Sequence, residues 1–94
     1  MFDWDEVKNE ILKRERGISF EEVVFWLEND GILKVEDHPN QRKYPGQRVY
    51  MVNIENYVYV VPFVEEKGIV FLKTIIPSRK ATKTFLKGAS DASD

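Results

Sequence analysis

The stretch from Gln47 to Ile76 leaves this chain few choices. Its runs QRVYMVNI, YVYVVPFV and IVFLKTII are rich in β-branched and aromatic residues, the signature of strands. Only Glu55-Asn56 separates the first two runs, and EEKG separates the second from the third. Parallel neighbours need a long crossover, so runs linked this tightly form an antiparallel meander. Pro62 has no N–H to give a ladder, which predicts a bulge or the end of a pairing there. A fourth candidate, ILKVED (Ile32–Asp37), is set apart by HPNQRKYPG, whose prolines, asparagine and glycine mark a loop.

The flanks supply the cover such a sheet needs. Between Asp3 and Arg16, Trp4, Val7, Ile11 and Leu12 recur at helical spacing, Asp3 or Asp5 can cap the start, and Gly17 follows the last turn. In SFEEVVFWLENDG, Ser19 and Glu22 fit a capping box, Phe20, Val23, Val24 and Leu27 form an apolar stripe, and Gly31 closes the segment. Pro77 ends the last strand run, and Ser78 then caps a short helix that continues to Gly88. The spacing predicts an α+β fold: two N-terminal helices packed on a twisted antiparallel sheet of about four strands, with a short C-terminal helix.

Strand parity predicts two faces. Val49, Met51, Val58, Val60, Val70, Leu72 and Ile76 form the apolar face expected under the N-terminal helices. Arg48, Tyr50, Val52, Tyr57, Tyr59, Phe71, Lys73 and Ile75 form the opposite one. Rings interleaved with cations suit single-stranded RNA, whose bases stack on aromatics while phosphates take the charges. Aromatic residues also simply favour strands, and the C-terminal helix, through Phe85 and Leu86, offers a second cover for this face.

Ninety-four residues make one domain, read as 1–88, with the polar ASDASD (89–94) as a disordered tail. The chain has no cysteine, which excludes disulfides and thiolate metal sites and suits a cytoplasmic protein. The N-terminus is acidic and amphipathic rather than a signal peptide, and no apolar run reaches the roughly 18 residues of a membrane span. The net charge of −2 conceals an asymmetry: residues 1–37 carry eleven acids and five bases, whereas residues 67–88 carry six bases and no acid. Such a distribution points to a polyanion site in the C-terminal half, or to two halves that neutralise each other in the fold. There is no Gly-rich phosphate loop, no H-x-x-x-H pattern and no cysteine nucleophile, so neither a cofactor nor a metal is expected.

Several pieces in order carry a family resemblance: FDWDEVK, RGISFEEV, QRVYMV and IIPSRKATK. The most specific are W-D-x-x-K (Trp4, Asp5, Lys8), the turn from Gly17 to Glu21, and the run from Ile75 to Thr82. From about Phe2 to Lys83 the chain resembles the BrnT toxins, small RelE-like endoribonucleases of bacterial type II toxin–antitoxin pairs. That resemblance implies helices packed on a twisted antiparallel sheet, metal-independent RNA cleavage, and neutralisation by a cognate antitoxin, expected to bind DNA as a ribbon-helix-helix protein. The chain departs from the family pattern at Leu12, where an asparagine is usual, at Glu15-Arg16 before the glycine, where Lys-His is usual, and at Gln47, where an acid precedes the arginine. Those departures leave a rival reading, a non-catalytic RNA- or protein-binding module of the same fold.

Cleaving RNA without a metal means deprotonating the 2′-OH, stabilising a dianionic phosphorane and protonating the leaving 5′-oxygen. Arg48 and Arg79, which match the family pattern, suit the phosphorane because a guanidinium fork fits phosphate. Lys80 matches too and joins them as a catalytic candidate, with Lys83 and Lys73 assisting substrate binding. His38, the single histidine, is the candidate proton-transfer group. Tyr50 and Tyr59 are candidates for stacking a base. Arg16, at the family's histidine position, can stabilise charge but cannot shuttle protons.

Overall fold

The computed structural model describes residues 1–87. The expected helix end at Gly88 and the tail 89–94 lie outside the described residues. The elements run β1 (Phe2–Asp3), α1 (Glu6–Arg16), α2 (Phe20–Leu27), β2 (Ile32–Asp37), β3 (Arg48–Ile54), β4 (Tyr57–Glu66), β5 (Ile69–Leu72), β6 (Ile76–Pro77) and α3 (Arg79–Thr82), which continues as a π-helical segment, Lys83–Lys87.

Local chemistry sets these boundaries. Asp5, not Asp3, caps α1, its carboxylate accepting from the N–H groups of Val7 (2.8 Å) and Lys8 (3.2 Å). Gly17 ends the helix in the left-handed region at φ 66°. The capping box of α2 is reciprocal: the Glu22 N–H donates to Ser19 Oγ and the Ser19 N–H to Glu22 Oε1, each at 3.1 Å. Gly31 is required by close approach, since a Cβ there would lie 2.6 Å from the Trp26 carbonyl oxygen. Both hairpins have positive φ at their two central residues, Glu55-Asn56 (52° and 67°) and Lys67-Gly68 (53° and 80°). That is the turn chemistry whose twist matches the flanking strands.

The sheet order is β1-β5-β4-β3-β2, with β6 also paired to β4. The meander of β2 to β5 is antiparallel as expected, but β1 runs parallel to β5, so the sheet is mixed. Two-residue strands such as β1 and β6 carry no periodic signal, which is why the sequence reading of four strands omits them. The third run also breaks. Phe63–Glu66 of β4 pair with β5, whereas Tyr59 and Val60 pair with β6, and Pro62 falls at the change of partner. On its other side the β3–β4 pairing continues through Pro62, opposite Val49. Pro62, which has no N–H to give a ladder, coincides with the break between the β5 and β6 pairings.

The expected faces need correcting. Phe63 pairs with Leu72 on one side and with Arg48 on the other, so Val70 and Leu72 share a face with Tyr50 and Val52 rather than with Val58. A one-residue change of pairing reverses every side chain of a strand. The N-terminal helices cover this face. Leu12, Ile18, Phe20, Val23 and Leu27 pack with Val52, Ile54, Val61, Phe63, Leu72 and Ile75, all buried. Each such side chain contributes about 1.5–3 kcal/mol when fully buried. Val49 and Val58 are buried on the other face, while Met51 and Val60 are half-buried and Ile76 is exposed. There α3 is stitched to β4 by Thr82, whose Oγ1 accepts from the Val58 N–H (2.8 Å) and donates to the Ser78 carbonyl (2.7 Å). Both faces are apolar enough to carry a layer, so alternation alone does not say which layer lands where.

Candidate functional site

The face bearing α3 is incompletely covered. Between the β2 edge and the chain from Ile76 to Phe85 runs an open groove in two lobes, of about 350 and about 300 Å³. The lobes share Glu36, Met51, Val60 and Ser78. His38 lies at the end of one lobe and Lys80 lines the other. Its floor is apolar and its walls carry charged and hydroxyl groups, the general character of a ligand-binding cleft.

His38 is fixed by the loop that follows it. Its Nδ1 accepts from the Asn40 N–H at 3.0 Å, and its ring lies 4.5 Å from that of Tyr44. The loop is ordered by Gln41, whose amide donates to the carbonyls of His38 and Gln47 (both 2.9 Å) and accepts from the Gly46 N–H (3.1 Å). With Nδ1 engaged as an acceptor, the neutral imidazole carries its proton on Nε2. In this orientation His38 offers a hydrogen-bond donor to a ligand and no lone pair with which to act as base.

The C-terminal candidates follow from the Ser78 cap. Ser78 Oγ accepts from the Ala81 N–H at 3.0 Å and the Ser78 carbonyl from the Thr82 N–H at 3.0 Å, which sets the turn carrying Arg79 and Lys80. Arg79, Lys80 and Lys83 are all exposed, and among the described residues none of them forms an ion pair. Arg16 tethers the approach to this turn, donating from Nη1 to the Ile75 carbonyl at 2.6 Å. That contact makes it a positioning group for the Ile75–Ser78 segment.

Other candidates lie elsewhere. Arg48 pairs with Phe63 and Asp37 across the sheet, so it belongs to the face of the N-terminal helices. Its guanidinium sits 3.7 Å from the Asp37 carboxylate and 5.9 Å from the Phe63 ring centroid. Tyr50 stacks on Phe63 at 4.1 Å, and Tyr50 and Tyr59 both pack against the buried cluster of that face. Burial pushes both phenols above their ordinary pKa, with the Glu65 charge adding to the effect at Tyr50. The expected ring-and-cation face is thus divided, and its rings are used in packing. Lys73 stands 5.5 Å over the ring of Phe71, which lines a separate depression with Val64 and Ile69.

The structure therefore brings His38 and Lys80 to one groove, sets Arg79 beside Lys80, and leaves Arg48, Tyr50 and Tyr59 on the other side of the sheet. Two residues that sequence reasoning passed over matter here. Glu36 lines both lobes, and its parity with His38, one residue past β2, was the available signal. Asn9 is fully buried, accepting from the Phe20 N–H (2.8 Å) and donating to Glu21 (2.8 Å) and Glu6 (3.3 Å). A single polar residue inside a helix gave no sign of that clasp between α1 and α2.

A small α+β domain with a groove flanked by cations on one sheet face is the class of protein that this fold and site define. The chain belongs to the family described as ribonuclease toxin, BrnT, of type II toxin–antitoxin systems, whose model matches residues 4–84. The match covers both N-terminal helices, the whole meander and the turn bearing Arg79 and Lys80. No curated protein and no solved structure gives a significant match. Among the described residues, no helix is long and apolar enough to cross a membrane. Leu12 is buried in the core cluster, and the buried asparagine of α1 is Asn9.

Proposed function

We propose that this protein is a metal-independent endoribonuclease toxin of the RelE-like kind that binds RNA across the groove between β2 and the Ile76–Phe85 segment. The observation that carries this reading is the convergence of His38 and Lys80 on that groove, within a chain of the BrnT family. Lys80, with Arg79 beside it, neutralises the scissile phosphate and the charge that builds on the phosphorane. The Nε2–H of His38 donates to a phosphate oxygen from the opposite end. Lys83 and Lys73, exposed outside the groove, add to the attraction for RNA, and the apolar floor at Met51 and Val60 seats a sugar or base. Arg48, on the other face, contributes to overall RNA attraction rather than to the chemical step. A cognate antitoxin of the ribbon-helix-helix type, acting in the cytoplasm, covers the cations and blocks RNA entry.

The test is cleavage of single-stranded RNA in EDTA by wild type, His38→Ala and Lys80→Ala. Wild type is expected to yield fragments ending in 2′,3′-cyclic phosphate and 5′-hydroxyl, and Lys80→Ala to cleave about 10²-fold more slowly. RNA that stays intact at high protein concentration, while still binding in a salt-dependent way, would mark a binding module instead.

A further inference from the structure

The groove needs a proton acceptor that His38, with Nδ1 occupied, does not provide, and Glu36 stands where one is required. Among the residues lining the two lobes it is the single carboxylate, and it belongs to both, between the His38 end and the Lys80 end. Its placement follows from register. Glu36 pairs with Val49, Asp37 with Arg48, and two positions out from Glu36 the His38 N–H donates to the Gln47 carbonyl at 2.9 Å, so Glu36 and His38 share the parity that faces the groove. Glu36 is half-buried, with Oε2 3.3 Å from Lys34 Nζ. Its other oxygen has no hydrogen-bond partner among the described residues. A largely exposed ion pair of this kind is weak and does not withdraw the carboxylate from use. The neighbouring hydroxyl of Ser78 is committed to the Ala81 N–H.

We propose that Glu36 is the catalytic base of the groove, taking the 2′-hydroxyl proton of the RNA; this rests on the nuclease reading above. As the O2′–H bond breaks, its proton passes to Glu36 Oε1 and the oxygen's electron pair forms the O2′–P bond. The P–O5′ bond then breaks with its electrons on O5′, which takes a proton from solvent water. The products are a 2′,3′-cyclic phosphate and a 5′-hydroxyl, and Glu36 returns its proton to solvent. Lys80, across the shared floor, meets the phosphate while Glu36 meets the sugar, so the two roles fall on opposite walls.

The experiment compares wild type, Glu36→Gln, Glu36→Ala and Lys34→Met in single-turnover cleavage of one RNA. Binding is measured separately on the same RNA carrying 2′-deoxyribose at the cleaved position. Glu36→Gln is expected to cleave at least about 10²-fold more slowly than wild type while binding as tightly or more tightly. Added formate should restore part of the rate to Glu36→Ala and none to Lys80→Ala. Lys34→Met, which removes only the ion pair, should stay within a few-fold of wild type. Glu36→Gln cleaving at the wild-type rate would overturn the assignment, as would parallel loss of binding and cleavage without formate rescue. Wild-type protein that leaves RNA intact is a different failure, that of the nuclease reading itself, and takes the assignment with it.

Discussion

On one face of the sheet Val52, Ile54, Val61, Phe63 and Leu72 are sealed beneath α1 and α2, while on the other Met51 and Val60 floor an open groove, although both sets alternate along the same strands. The difference lies in the covering layer. Two capped helices with continuous apolar stripes close the first face. A single helical turn and its π-helical continuation cover only part of the second, held at Thr82 and Ser78. Evenly matched strands thus yield one sealed face and one open face, and the unevenness of cover separates the two.

The contrast is open to attack by truncation. Phe63→Ala removes a ring that is 2% exposed and stacked on Tyr50, and is expected to destabilise the fold by about 3–5 kcal/mol. Met51→Ala, on the half-covered face, should cost about 1–2 kcal/mol because the open groove leaves less contact to lose. Urea unfolding of both variants checks the ordering, and equal losses would mean the groove face is as tightly packed as the closed one. An effect comparable to that of Met51→Ala is expected at the clasp. Asn9→Ala leaves the buried Phe20 N–H unpaired, which costs about 1–3 kcal/mol.

That clasp adds a slight pH signature. The Asn9 amide, as the leading cause, lowers the pKa of Glu21 below the ordinary carboxyl value of about 4.5. A carboxyl with a depressed folded-state pKa contributes stability above its unfolded value and loses it as pH falls through the folded one. The stability gap between wild type and Asn9→Ala should therefore narrow slightly below about pH 4.5. Glu21 is exposed, so solvent screening keeps the change small. A gap unchanged down to pH 2 would show that the Glu21 contact contributes nothing.

The sequence carries the helices, their caps, the hairpins and the partner change at Pro62, because each rests on residues close in the chain. What it does not carry is which layer covers which face. That depends on the Lys67-Gly68 turn pairing Phe63 with Leu72, and both sets of strand residues are apolar enough to be buried. The candidate groove is legible only in part. His38, Arg79 and Lys80 follow from residue chemistry and family pattern, and the structure brings His38 and Lys80 to one groove. Arg48, Tyr50 and Tyr59 share a parity with one another, yet they line the helix-covered side. Glu36 reads in sequence as one of many surface acids, and its parity with His38 becomes informative once β2 is paired with β3.

The most direct test of the groove as the RNA-cleaving site compares arginine and lysine from opposite faces. In single-turnover cleavage with EDTA present, Lys80→Ala is expected to lose about 10²-fold in rate, and Arg48→Ala no more than about tenfold, mostly through weaker binding. A larger loss at Arg48 than at Lys80 would place the chemistry on the helix-covered face and contradict the account.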